Sequence, residues 1–320
     1  LKLFPLFGCN VLNKTRVVMA KSVWVFLCIV FFMAGRVAWG YEVREVNNGG
    51  RVEGTITLVG PVPDPKAYNL VTFPDPEYCG RISNGNGWRL LRDFVVNDQG
   101  QIQDVVVLLE GVEAGKPFSV SVPRIEARDC QFLPFTTVVR SGHGVEVVNM
   151  DPVMHDIQAY ETSAVTGTRV LFNAPLPFNR RHQRGNLHAK HDHQPGASLV
   201  RQFQLSKKRR TFVMQCGFHA YMESWAIAVE NPYHVLTDER GRFSIADVPP
   251  GNYSIRVWHP SVKQIVKKHV TIEPEHTLTV DFQLPAPGRH KTVLTVRTPP
   301  RFTPAALGRD VTIVPLLKRQ

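Results

Sequence analysis

The run TFVMQCGFHAYMESWAIAV, residues 211–229, decides how the chain is read. Two strand-like stretches, 211–215 and 224–229, flank Cys216-Gly217-Phe218-His219-Ala220-Tyr221-Met222. Those seven residues hold a thiol, an imidazole and a thioether. A tight loop between two strands aims all three at one point with little loop entropy spent. Sulfur beside imidazole is a copper ligand set, and Cys with two His in a plane and a weak axial Met is its electron-transfer form. Phe212, Met214 and Cys216 share one face of the strand feeding the loop, so Cys216 is expected to point inward, away from water. Taken singly, a buried Cys is a small core residue and a lone His or Met is packing. The joint spacing C-x2-H-x2-M carries the metal reading, and it lacks one further His.

Upstream, Val145-Glu146-Val147-Val148-Asn149-Met150-Asp151-Pro152-Val153-Met154-His155 reads as a strand, a turn and that His. With the loop, it resembles the cupredoxins, the small blue copper proteins, and the short loop spacing is closest to the amicyanin variety. The resemblance covers about 118–231. It implies a Greek-key sandwich with one type 1 copper centre held by His155, Cys216, His219 and Met222. It departs from the family at Asp156, where an Asn usually braces the Cys loop. A backbone N–H can still donate to the sulfur from that position, while the added negative charge is expected to favour Cu(II) and lower the potential. The residues flanking Cys216 are Gln215 and Gly217, not the His pair that feeds a trinuclear cluster, and the loop holds no second Cys for a binuclear site. Oxygen and nitrite chemistry are therefore not expected, and the chain reads as a carrier rather than an enzyme.

The 320 residues carry a formal charge of +11. Residues 1–18 read as an extension ahead of a leader that starts at Met19. Lys21, an apolar run over 23–34 and Ala38-Trp39-Gly40 have the form of a signal peptide. The apolar run is too short for a spanning helix, so no membrane anchor is expected beyond export. Removing 1–40 takes away Lys2, Lys14, Arg16, Lys21 and Arg36 and lowers the charge to +6. No nucleic-acid motif accompanies this mild excess. The mature chain keeps Cys79, Cys130 and Cys216. With Cys216 on copper, the other two form an even set for which a disulfide is the default in a periplasmic or other oxidising compartment. A second metal ligand or a redox switch at either thiol remains the alternative.

The rest of the chain is β-rich, without a useful stretch of helical period. Strands are expected near 52–58, 94–96, 104–109, 118–122, 136–139, 144–149, 156–160 and 198–205, the whole being all-β. The run 237–255, T-D-x-x-G-x-F-x-I-x-x-V-P-P-G-x-Y-x-I, resembles the carboxypeptidase regulatory-like, transthyretin-like β-sandwich. Arg240-Gly241 reads as a hairpin turn, Phe243 and Ile245 as inward-facing, and Pro249-Pro250-Gly251 as the reversal into the next strand. The motif speaks for a fold and not for a ligand, and His259 reads as structural. The resemblance suggests one sandwich built from 50–117 and 232–285, interrupted by the copper domain 118–231; two sandwiches in series is the rival. Residues 286–320 read as a basic tail.

Between 180 and 210 stand nine basic residues and one acid, Asp192. This face is expected to steer an acidic redox partner. Its His188, His191 and His193 read as a solvated loop, with a second metal as the alternative. Two further functions stay open beside electron transfer: a periplasmic copper carrier or store, and an envelope structural protein with a non-redox copper fold.

Overall fold

The computed structural model describes residues 40–287, apart from 92, 120, 164–166, 183–192, 207–208 and 263. Residues 1–39 of the leader expected over 1–40, all but two residues of the expected tail 286–320, and His188 and His191 therefore lie outside the described residues. Among the described residues, no helix is long and apolar enough to cross a membrane.

The chain is all-β, and its strands divide between two sandwiches. In the first, Gly144–Asn149 lies between Ser198–Gln202 and Arg124–Ala127, which also pairs with Phe132–Leu133. The facing sheet runs Gly167–Leu176, His155–Ser163, Thr211–Gln215, Glu223–Val229, Thr136–Arg140. Its core follows from period-two alternation: Ile125, Val145 and Val147 on one sheet pack with Ile157, Ala159, Phe212, Met214, Ala226 and Ala228 on the other.

The second sandwich is built from both ends of the described chain. Gly50–Val59 pairs with Arg242–Val248 and, in parallel, with Thr277–Thr279 and Phe282–Pro285. Val106–Glu110 lies between His234–Leu236 and Gly251–Trp258, which also pairs with Val266–Ile272. Val52, Ile56, Val107, Leu109, Phe243, Ile245, Ile255 and Val257 share one core.

The unbroken run Val105-Val106-Val107-Leu108-Leu109 is apolar on both faces for a specific reason. Val105, Val107 and Leu109 enter this core, while Val106 and Leu108 turn outward onto Ile227 and Val229 of the first sandwich. A charged rim closes the same junction, where Glu110 meets Arg256 and Lys267 from its own sheet and Arg210 from the first sandwich.

Three local expectations differ from what forms. Residues 118, 119, 121 and 122 are not in a strand; Phe118 instead packs edge-on against Tyr41, with the Arg140 guanidinium over its ring. Phe94-Val95-Val96 makes a single bridge, Val96 to Ile102, across a turn held by Asn97. The turn at Arg240-Gly241 forms, with Gly241 at φ +65° donating its N–H to the Asp238 carbonyl. The strands it joins lie in different sheets, so it is a corner and not a hairpin.

Residues 66–91 do not stay with the second sandwich. They form a two-stranded hairpin, Lys66–Asn69 with Trp88–Leu91, whose loop carries three one-turn helical pieces. Leu70, Tyr78 and Cys79 from this strap are buried in the core of the first sandwich. A disulfide joins Cys79 to Cys130, with Cα atoms 5.5 Å apart.

Candidate metal centre

Strand pairing brings distant residues together. Gln158 and Ala159 lie opposite Gln215 and Met214, so His155 at the start of one strand and Cys216 at the end of the next share one end of the sheet. The loop folds back on itself: Met222 N donates to the His219 carbonyl at 2.8 Å, and Cys216 N to the Met222 carbonyl at 3.1 Å. His155, His219 and Met222 are 0% exposed and Cys216 is 2% exposed.

His155 Nδ1 and His219 Nδ1 stand 3.2 Å apart, with Cys216 Sγ 3.9 Å from the first and 3.6 Å from the second. A point equidistant from all three atoms of this triangle is about 2.1 Å from each, the length of a metal bond to imidazole and a little under one to thiolate. Met222 lies buried in the same loop.

The outer nitrogens fix both tautomers. His155 Nε2 faces Asp151 Oδ2 at 3.0 Å, and His219 Nε2 faces the Pro74 carbonyl at 3.1 Å. Carboxylate and carbonyl oxygens only accept, so both Nε2 atoms carry the proton and both Nδ1 atoms present lone pairs. With both rings neutral, two lone pairs meet at 3.2 Å. The thiol can donate to only one, so a cation is what satisfies the set.

Asp151 is fully buried and accepts from four donors: Asp129 N at 2.7 Å and the Tyr78 hydroxyl at 2.9 Å on Oδ1, Cys130 N at 2.8 Å and His155 Nε2 on Oδ2. Carboxylate behind imidazole is a familiar way of fixing a metal-binding ring. The departure at Asp156 keeps the brace: its Oδ1 accepts from Gly217 N at 2.5 Å, and the backbone N–H groups of Asp156 and Phe218 bond to the Cys216 sulfur. A Cβ at Gly217 would displace the Gln158 amide and the Asp156 carboxylate from their present places.

Burial sets the protonation. It pushes the Cys216 thiol up to about 12, outweighing the backbone donors, and it pulls His219 down to about 4, with His155 adding to the effect. Without a cation the sulfur is therefore a thiol and His219 a neutral base.

Cys130, Asp151 and His155 also cluster, but the Cys130 sulfur is committed to the disulfide. His193 binds Asp129 Oδ2 through Nε2 at 3.1 Å and faces the Met150 carbonyl through Nδ1 at 3.3 Å, with the His182 ring between it and Tyr78. His259 stacks on Phe94 at 4.5 Å in the other sandwich. Sequence reasoning passed over Asp151, although Asp-Pro four residues ahead of His155 was a local signal. It had none for Pro74 and Tyr78, which lie more than sixty positions from the residues they hold.

Comparison with known families and structures follows from this geometry. Residues 221–285 match the carboxypeptidase regulatory-like domain. That span runs from the metal loop through the last strands of the second sandwich. No curated protein matches the chain. Among solved structures, a purple cupredoxin from Nitrosopumilus maritimus is 17% identical over 33% of this chain and 99% of its own, at a TM-score of 0.24. An amicyanin from Paracoccus versutus is 13% identical over 35% of this chain and 84% of its own, at 0.20. A Cu-containing nitrite reductase from Thermus scotoductus SA-01 is 18% identical over 36% of this chain and 24% of its own, at 0.24.

Proposed function

We propose that the chain is an exported, mononuclear copper protein that passes single electrons and is not itself a catalyst. Cys216 Sγ, His155 Nδ1 and His219 Nδ1 would hold the ion, and Met222 of the same loop would supply the fourth, weaker ligand. The observation that carries this reading is the pair of opposed Nδ1 lone pairs beside a buried thiol. A thioether in the same loop favours copper over zinc, whose structural sites take thiolate, imidazole and carboxylate. Bound copper supplies one-electron exchange. The protein's own part is to hold two imidazoles and a thiolate in one arrangement for both oxidation states, by way of Asp151, Pro74 and the Asp156 brace.

On this reading the copper sandwich is an insertion in the transthyretin-like one, 1–40 is the export leader, and basic residues of the 180–210 stretch meet an acidic redox partner. A rate of electron exchange that does not change with salt would remove that partner. A second reading, a periplasmic carrier or store, is favoured by one feature: the His219 edge is covered and not open to a partner. The two separate on one preparation. Protein loaded with Cu(II) is expected to show an intense visible thiolate-to-copper band that Cys216→Ser abolishes, and reversible voltammetry. The band without reversible voltammetry favours storage, and no band rejects both.

A further inference from the structure

The ligand loops and the cover over them come from different parts of the chain. His155, Cys216, His219 and Met222 belong to the first sandwich, whereas residues 66–91 enter from the Gly50–Val59 strand of the second. This strap touches the outer edge of the His219 ring and the carboxylate behind His155. Pro74 takes the His219 proton bond, and Cys79 Sγ lies 3.7 Å from the same nitrogen. Tyr78 donates to the carboxylate that holds His155. Phe73 meets Tyr221 edge-on at 5.1 Å, next to His219 in the loop.

Noncovalent ties also hold this cover to the first sandwich: Arg81 pairs with Asp129, Lys66 with Glu223 and Arg89 with Gln131, and Tyr68, Phe73 and Ile82 pack partly buried against its core. Its helical pieces are three or four residues long, too short to persist by themselves. Its deeply buried side chains are few, Leu70, Val71, Tyr78 and Cys79 before the returning strand. One covalent bond, Cys79 to Cys130, ties it down beside the donor atoms. Noncovalent ties of this kind can break together in a local opening, and a crosslink takes that freedom away.

We infer that residues 66–91 are a disulfide-locked cover that governs entry and exit of the metal, an inference that rests on the copper reading above. With Cys79 and Cys130 as thiols, the strap opens and the donors accept copper. Oxidation then shuts the ion in. The closing step is thiol–disulfide exchange: a partner disulfide accepts two electrons and the two thiol protons, leaves as a dithiol, and one S–S bond forms between Cys79 and Cys130.

The test compares release. Copper-loaded wild-type protein with the disulfide intact and the Cys79→Ala/Cys130→Ala variant are challenged with excess EDTA, and loss of the visible band is timed. Release at least about tenfold faster in the variant is expected; equal rates overturn the lock. A faster rate from general destabilisation is separated by Ile255→Ala, a buried position in the other sandwich. That variant should release at the wild-type rate, and equal acceleration there overturns the inference. If the double variant does not fold, wild-type apoprotein reduced with a phosphine and freed of it is given Co(II) without oxygen. Uptake about tenfold faster than by the oxidised apoprotein supports the cover, and equal uptake rejects it. Failure of either form to bind any metal removes the copper reading itself, an outcome distinct from binding at equal rates.

Discussion

Replacing Asp151 by Asn tests whether the carboxylate sets the tautomer of His155. Wild-type Asp151 accepts four bonds, two on each oxygen, and an amide of the same shape keeps only one acceptor atom. If the amide nitrogen takes the Oδ2 side, Cys130 N is orphaned and His155 Nε2 must become an acceptor. The proton then moves to His155 Nδ1, 3.2 Å from His219 Nδ1, where it makes a bond the wild type lacks. The alternative orientation orphans Asp129 N while the Tyr78 hydroxyl turns to accept, and it offers no such gain. The first orientation is therefore preferred in the apoprotein. One buried N–H left unmade costs about 2 kcal/mol, partly offset by the new imidazole pair. Metal binding has to reverse the tautomer and loses the carboxylate behind the ring, so affinity should fall about 10–100-fold. Chelator competition gives the affinity, urea unfolding of the apoprotein the stability, and 15N NMR the protonated nitrogen of His155. Wild-type affinity with Nδ1 unprotonated in the variant would refute the reasoning.

Three further outcomes follow from the same geometry. Asp156→Asn keeps an acceptor for Gly217 N while removing a charge beside the thiolate. The reduction potential should rise on the order of 50 mV, and a fall in voltammetry counts against that role. His259 is buried against Phe94 and held at about 4 by burial, below its unfolded value near 6.5. The unfolded chain thus binds the extra proton, so the stability it contributes is complete above pH 6.5 and is lost as pH falls towards 4. The unfolding free energy of His259→Phe in urea should gain about 3 kcal/mol on the wild type over that window. Ile227→Ala opens the junction between the sandwiches, where Ile227 packs with Val106 and Leu108, and should cost about 2–4 kcal/mol in equilibrium unfolding, with both sandwiches affected.

Much of this architecture can be read from short-range pattern. Period-two alternation at Val52, Ile56 and Leu58, and at Phe243 and Ile245, places those residues in one core, and the Cys216 to Met222 spacing singles out the loop. What the pattern does not carry is partner choice. Arg240-Gly241 turns as expected, yet nothing local says that its strands join different sheets. The 118–122 run has strand composition, but Phe118 is drawn into the junction with Tyr41 and Arg140. The cover is the least legible element, since Pro74, Tyr78 and Cys79 sit among prolines and short turns and gain meaning only against His219 and Asp151. Asp156 shows the limit from the other side: the residue differs from the family's habit, while the bond to the Gly217 N–H is kept by the oxygen that both side chains share.

The central claim is that one ion is shared by His155 Nδ1, His219 Nδ1 and Cys216 Sγ. Copper K-edge X-ray absorption of the loaded protein tests it directly. Two nitrogen scatterers near 2.0 Å and one short sulfur near 2.2 Å are expected, at about those bond lengths, with the sulfur absent in Cys216→Ser. A first shell of nitrogen and oxygen alone in the wild type, unchanged by that substitution, would contradict the account.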